Sequence, residues 1–298
     1  MAVTEVSGPA GWMAAEVRDG GDWQVHLDER AQREILDAAR TGPGAGRFRL
    51  PTLGPVLREV RERLVHGRGF VLLRGVPVGE LSERQCEAAA LGLTGHVGQI
   101  IPQGPDGAPL RHVRDTGADP AGAVTRSYQH SGRLGYHSDP YDAVALLCLR
   151  PARSGGLSSI VSSVAVHNEV VRTRPDLAQV LYQPWWHDRR TGDGPDSFYT
   201  KPLCTPRPDG GVSFAYGPDY LRSALRGAGV PPLTPAQAEV MELLDRLTAD
   251  PRFALTMDLR PGDLQLLNNH VVLHSRTAYT DHPQLERRRH LLRLWLAT

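Results

Sequence analysis

The chain is short of lysine, of cysteine and of long hydrophobic runs, and each shortage excludes something. Lys201 is the only lysine among 34 basic residues. The positive charge is therefore carried by arginine, and with so much Ala, Gly and Pro this reads as GC-rich coding more than as a phosphate-binding surface. The cysteines are Cys86, Cys148 and Cys204, odd in number, far apart and without a CxxC pair. That argues against a disulfide framework or a thiolate zinc site and fits a reducing cytoplasm. The opening stretch MAVTEVSGPAGWMAAEVRDG has acidic residues and no apolar centre, so it is not read as a signal peptide. No stretch approaches the ~18 unbroken apolar residues of a membrane span. A formal net charge of +1 gives no reason to expect nucleic acid or an anionic membrane as partner.

What the chain does have is enough apolar residue, 40% of 298, to bury a large core. The first hundred residues mix helix and strand. DERAQREILDAAR has Asp28 as a cap and Ala31, Ile35 and Ala39 at one-face spacing. A second helix is expected from Pro55 to Leu64, then a buried strand at FVLLRGV. Ser82 and Gln85 form a capping box for a third helix. After about residue 97 the texture changes to short apolar runs between Gly, Pro and Asp: AVALLCL, SSIVSS, GVSFAY, FALTMDL, DLQLLNN, HVVLHS and HLLRLWL all read as strands. One late helix interrupts them, opened by Thr234, Pro235 and Gln237, with Val240, Leu244 and Leu247 on its buried face. The expected fold is mainly β with a helical cover, a sandwich or jelly roll. A single catalytic domain over 1–298 is expected, residues 1–95 forming a helix-and-strand cover and 96–298 the jelly-roll core.

GYHSDPYD, residues 135–142, holds His137 and Asp139 two apart, and in a strand such residues point to the same side. Imidazole and carboxylate suit iron, manganese or zinc. The pair alone is weak, since His26-Leu27-Asp28 repeats it where Asp28 serves better as a helix cap. A two-histidine, one-carboxylate site needs a third ligand from elsewhere. GDLQLLNNHVVLHSR offers two: His274, at the end of an apolar run, and His270, four residues earlier. The glutamate of a zinc-protease HExxH motif is missing from HVVLH, which disfavours a hydrolytic zinc site on this pair. His270 is read as a turn residue or one that supports the ligands.

The stretch RRRHLLRLWL raises a different question. Alternation puts Arg287, Arg289, Leu291, Arg293 and Trp295 on one face, and Arg288, His290, Leu292 and Leu294 on the other. Arg287 and Arg288 sit at a turn and can be hydrated. Arg289 and Arg293 lie in or beside the apolar run, where a guanidinium is costly to bury without an anion. Such a group grips a carboxylate in bidentate fashion, which suits a dicarboxylic cosubstrate.

In their order along the chain, GYHSD, SGGLSS, VLHSR and RRHLLRLW resemble the taurine dioxygenase/clavaminate synthase-like family of Fe(II)- and 2-oxoglutarate-dependent dioxygenases. The likeness spans roughly residues 95–298. It implies a double-stranded β-helix (a cupin-like jelly roll), with Fe(II), 2-oxoglutarate and dioxygen as cofactor and cosubstrates. It implies His137, Asp139 and His274 as iron ligands, and Arg289 as the partner of the distal carboxylate of 2-oxoglutarate. Ser158, after the glycine pair, takes the place of a hydroxyl that touches the same carboxylate, with Ser159 as its rival. Arg293 matches a position that in some members contacts an anionic substrate. His130 and Ser131 stand where relatives often have a Thr-Asn pair, so substrate contacts before the metal motif do not carry over.

The implied reaction couples decarboxylation of 2-oxoglutarate to succinate and carbon dioxide with hydroxylation of a C–H bond in a small, carboxylate- or amino-acid-like metabolite. Related halogenases lack the carboxylate ligand, so Asp139 favours oxygenation. Desaturation, cyclisation or epimerisation by the same site stays open, as does a catalytically silent jelly roll that only binds a ligand. Gln103, Tyr128 and Trp185 are further candidates for substrate contact. QPWWHDRRTGDGPDSFYTKPL, over 183–203, reads either as a lid or as sandwich packing. Asp142 is read as a turn acid and Cys148 as core. The expected partner is a small molecule, in the cytoplasm, with a homo-oligomer possible.

Overall fold

The computed structural model describes residues 3–18, 20–41, 48–104, 106–118, 127–192 and 194–298. Two sheets face each other. The larger runs in the order Gln24–His26, Phe70–Arg74, Leu264–Asn268, Ala143–Arg150, His290–Ala297 and Gln99–Ile101, with Arg111–Val113 also paired to His290–Ala297. The smaller runs Ala254–Met257, Ser158–Ser162, Val272–Arg276, Leu134–His137, with every neighbour antiparallel. This is the jelly-roll sandwich expected from the strand-rich second half.

Period-two alternation decides what each face of the larger sheet meets. Phe70, Leu72, Val144, Leu267 and Leu291 point inward and share a core with Ile160, Leu255 and Leu273 of the smaller sheet. Val71, Leu73, Ala145, Leu147, Leu266 and Leu294 point outward. There they pack on Ile35, Leu57, Leu64 and Leu93 from the helices Glu29–Thr41, Leu53–His66 and Glu83–Thr94. These three helices thus cover the outer face of the larger sheet. The same region also supplies two strands of the sheet, Phe70–Arg74 being paired directly to Leu264–Asn268.

The expected helix starts hold. Asp28 accepts from the Ala31 amide at 2.8 Å, and Ser82–Gln85 and Thr234–Gln237 both form complete capping boxes. Several helices were not expected, the longest of them in the strand-rich half. SSIVSS ends as a strand at Ser162, whose hydroxyl accepts from the Ala165 amide at 2.9 Å and opens the helix Ser163–Thr173. Its valines and alanine (Val164, Ala165, Val166, Val170) are buried. A β-branched run of this kind has a strand's composition, and only packing behind the smaller sheet makes it helical. A short helix, Pro218–Ala224, also falls in the strand-rich half. Within 183–203, Pro184–Asp188 pairs antiparallel with Phe198–Pro202. Cys86, Cys148 and Cys204 are buried free thiols. Among the described residues, no helix is long and apolar enough to cross a membrane.

Candidate active site

Two neighbouring strands of the smaller sheet bring the histidines together. Leu134–His137 and Val272–Arg276 run antiparallel with His137 directly opposite His274. Directly opposed residues share a face of the sheet, and the two imidazole ring centroids are 4.1 Å apart. The strand ends at His137, and the chain turns to deliver Asp139, whose amide donates to Asn269 Oδ1 at 3.2 Å. His137 Nδ1 donates to the Gly135 carbonyl at 2.9 Å, leaving Nε2 with its lone pair for a ligand. His274 Nδ1 is buried without a protein partner. Ligand atoms of His137, Asp139 and His274 all lie within 4.8 Å of one another.

The electrostatics suit a metal. Burial alone would push the Asp139 carboxyl up. The Arg293 guanidinium, helped by the neighbouring imidazoles and a hydrogen bond from Trp295, outweighs it and holds the group below its ordinary range. Trp295 Nε1 donates to Asp139 Oδ2 at 2.8 Å, and Arg293 Nη1 lies 3.8 Å from Oδ1. Burial and the neighbouring His137 push the His274 imidazole down to about 3 despite the pull of Asp139. The site therefore offers a carboxylate oxygen beside two imidazoles, a donor set that fits Fe(II) with positions left open. Partners outside the ligand shell usually contribute about 10–100-fold in metal affinity. Trp295→Phe, which loses only the indole N–H, should weaken Fe(II) binding by a factor in that range in an anaerobic titration. Unchanged affinity would mean the indole does not orient the carboxylate.

Arg293 and Trp295 both face this carboxylate because they alternate on His290–Ala297, while Leu292, Leu294 and Leu296 go to the helix side. The Arg293 guanidinium is fixed on several sides. Its Nε donates to Gln103 Oε1 at 3.2 Å, and its carbon lies 4.9 Å from the Tyr128 ring centroid and 4.5 Å from that of Trp295. Tyr128 thus lies against Arg293. Gln103 is not the substrate residue expected: it is 1% exposed and its amide donates to the Arg293 and Pro109 carbonyls. It holds Arg293 in place and has no free group for a substrate. Trp185 is a second correction. It is 1% exposed in the core, with its indole N–H given to the Val180 carbonyl at 3.0 Å.

Arg289, 5% exposed, precedes the same strand and is anchored by its amide to Asp281 Oδ1 at 2.7 Å. The glycine pair lets it approach. Gly155 has φ +74°, and a Cβ there would lie 2.3 Å from the Ala278 carbonyl oxygen. At Gly156 a Cβ would lie 3.1 Å from Arg289 Nε. Arg289 Nη1 is buried without a partner, as a guanidinium awaiting an anion would be. Ser158 is buried on the facing strand, but its hydroxyl donates to Gln265 Oε1 at 3.0 Å, so its one hydrogen is committed. Ser159 pairs with Tyr136 and Thr256.

Two groups that sequence reasoning left without a role belong here. Trp295 holds Asp139, and Arg276, 6% exposed, donates from Nη2 to the His130 and Gly132 carbonyls at 2.7 and 2.5 Å. The signal for Arg276 was its place two residues after His274, on the same side of one strand. His270 is kept out of the centre. Its Nε2 meets Asp142 Oδ1 at 2.9 Å and its Nδ1 meets Ser213 Oγ at 2.6 Å, so both ring nitrogens are engaged.

A second set of possible ligands, Glu83, His112 and His290, lies on the helix side of the larger sheet. Hydrogen-bond direction explains it without a metal. Arg150 Nη2 lies 3.0 Å from His290 Nδ1 and can only donate, so that nitrogen accepts. His290 then carries its proton on Nε2 and gives it to His112 Nδ1 at 2.8 Å. His112 Nε2 is left facing Glu87 at 3.6 Å.

Residues 34–295 match the family described as "Taurine catabolism dioxygenase TauD, TfdA family". FR-33289 synthase of Streptomyces rubellomurinus (strain ATCC 31215) is 32% identical over 311 residues, covering 98% of this chain and 90% of that protein. Among solved structures, an asparagine oxygenase in complex with Fe(II), 2S,3S-3-hydroxyasparagine and succinate has the same fold, with a TM-score of 0.69 at 21% identity. That match covers 93% of this chain and 94% of the other. The non-heme iron oxygenase OrfP, in complex with Fe, succinate and (3S)-hydroxy-L-Arg, has a TM-score of 0.63 at 16% identity, covering 92% and 93%. The chain belongs to the TauD/TfdA family and is an Fe(II)- and 2-oxoglutarate-dependent dioxygenase.

Proposed function

We propose that this dioxygenase hydroxylates a C–H bond of a small metabolite bearing a carboxylate, with an amino acid as the leading class. His137, Asp139 and His274 would hold Fe(II), and Arg289 the distal carboxylate of 2-oxoglutarate. With both bound, dioxygen and 2-oxoglutarate supply the two-electron oxidation that inserts oxygen, releasing succinate and carbon dioxide. The chain's own contribution is placement. Asp139 is kept ionised and oriented by Trp295, and the apolar core behind the histidines excludes water, while Arg293 orients the substrate.

The observation that carries the substrate class is Arg293. Its guanidinium faces inward 3.8 Å from Asp139, fixed by Gln103 and two aromatic rings. A carboxylate paired with it would lie beside the metal ligands, with the adjoining carbons in reach of the oxidant. The asparagine oxygenase and OrfP were solved with hydroxylated amino acids, which supports the same class here.

The test is a screen of the Fe(II)- and 2-oxoglutarate-loaded enzyme against amino acids and other small acids, each alongside its neutral amide or ester. Succinate release and a product heavier by one oxygen should appear with an acid and be absent with its neutral counterpart. Equal turnover of both would remove Arg293 from substrate recognition.

A further inference from the structure

The cosubstrate end of the site holds a second buried guanidinium. Arg276 lies on Val272–Arg276, two residues beyond His274, directly opposite Ser158 on the neighbouring strand. Its side chain therefore enters the sandwich on the face that carries His274 and Ser158. Arg276 and Arg289 lie against one aromatic ring, with their guanidinium carbons 4.9 and 5.1 Å from the Tyr279 centroid. Both arginines are nearly fully buried. Arg276 Nε and Nη1 and Arg289 Nη1 lack a hydrogen-bond partner.

Two like charges in one low-dielectric space are unfavourable unless an anion joins them. Buried unpaired donors on a shared aromatic wall make one anion receptor. Ser158, the hydroxyl expected to help Arg289, has its hydrogen committed to Gln265 and leaves that place to another donor.

We infer that Arg276 is a second binding residue for the distal carboxylate of 2-oxoglutarate, acting beside Arg289. This rests on the assignment of Arg289 to that carboxylate. Arg276 Nη2 stays on the His130 and Gly132 carbonyls, and the remaining N–H groups serve the anion. The rival role is structural, with Arg276 only fastening the 130–132 segment.

Pyruvate separates the two, because it chelates a metal through the same 2-oxo acid group and lacks the distal carboxylate. Anaerobic Fe(II)-loaded protein is titrated with 2-oxoglutarate and with pyruvate, following the optical change on chelation. Arg276→Gln should raise the Kd for 2-oxoglutarate about tenfold or more while leaving that for pyruvate within about twofold. Arg276→Lys, which keeps the charge, serves if the glutamine variant does not fold, and should show a smaller rise with the same selectivity. Equal weakening of both ligands, or no change in either, overturns the inference in favour of fastening alone. A wild-type protein that binds pyruvate as tightly as 2-oxoglutarate would instead overturn the Arg289 assignment on which it stands.

Discussion

His274→Ala protein should retain no stoichiometric iron after anaerobic reconstitution and desalting, and its succinate formation should fall below detection. His274 is the cross-strand partner of His137, and its neutral imidazole is enforced by burial. Its removal leaves one imidazole and one carboxylate, too few to hold a ferrous ion against water. The loss should exceed the roughly 10–100-fold that supporting residues cost. His270→Ala is the matched control. With both its nitrogens engaged by Asp142 and Ser213, that variant should lose some stability and keep its iron. Metal analysis of the two side by side decides the matter. Iron kept without His274 and lost without His270 would reassign the ligand.

Arg289→Ala should weaken 2-oxoglutarate by about a hundredfold, the second largest effect expected. A charge-assisted hydrogen bond contributes about 1.5–3 kcal/mol, and a bidentate pair in a buried place reaches the upper part of that range or beyond. Each 1.4 kcal/mol is a factor of ten in Kd. Arg293→Ala should change the same Kd much less, because its guanidinium faces Asp139, Tyr128 and Trp295, away from the glycine pair that shelters Arg289. Isothermal titration of the three proteins with 2-oxoglutarate gives the ranking. A larger effect at position 293 would exchange the two roles.

Much of this was legible in the chain. Caps and boxes at Asp28, Ser82 and Thr234 mark helix starts because they are local contacts within four residues. The alternation in HLLRLWL separates the two faces of its strand for the same reason, a fixed period. The helix Ser163–Thr173 was hidden, since its valines favour a strand and only burial behind the smaller sheet overrules them. Gln103 and Trp185 show the other limit. A polar or aromatic residue near a motif can face the ligand or support it, and composition does not distinguish these. One holds Arg293 from behind and the other lies in the core.

By itself the sequence determined the strand-rich fold and singled out the candidate ligands, their order and the two arginines, because each follows from residue identity or short-range spacing. Tertiary structure alone decided the register that sets His137 opposite His274, the capture of His270 by Asp142 and Ser213, and the commitment of Ser158 to Gln265. It also brought Arg276 and Arg289 to the same tyrosine. Those pairings join residues up to more than a hundred positions apart, and they exist only once two sheets have closed over one interior.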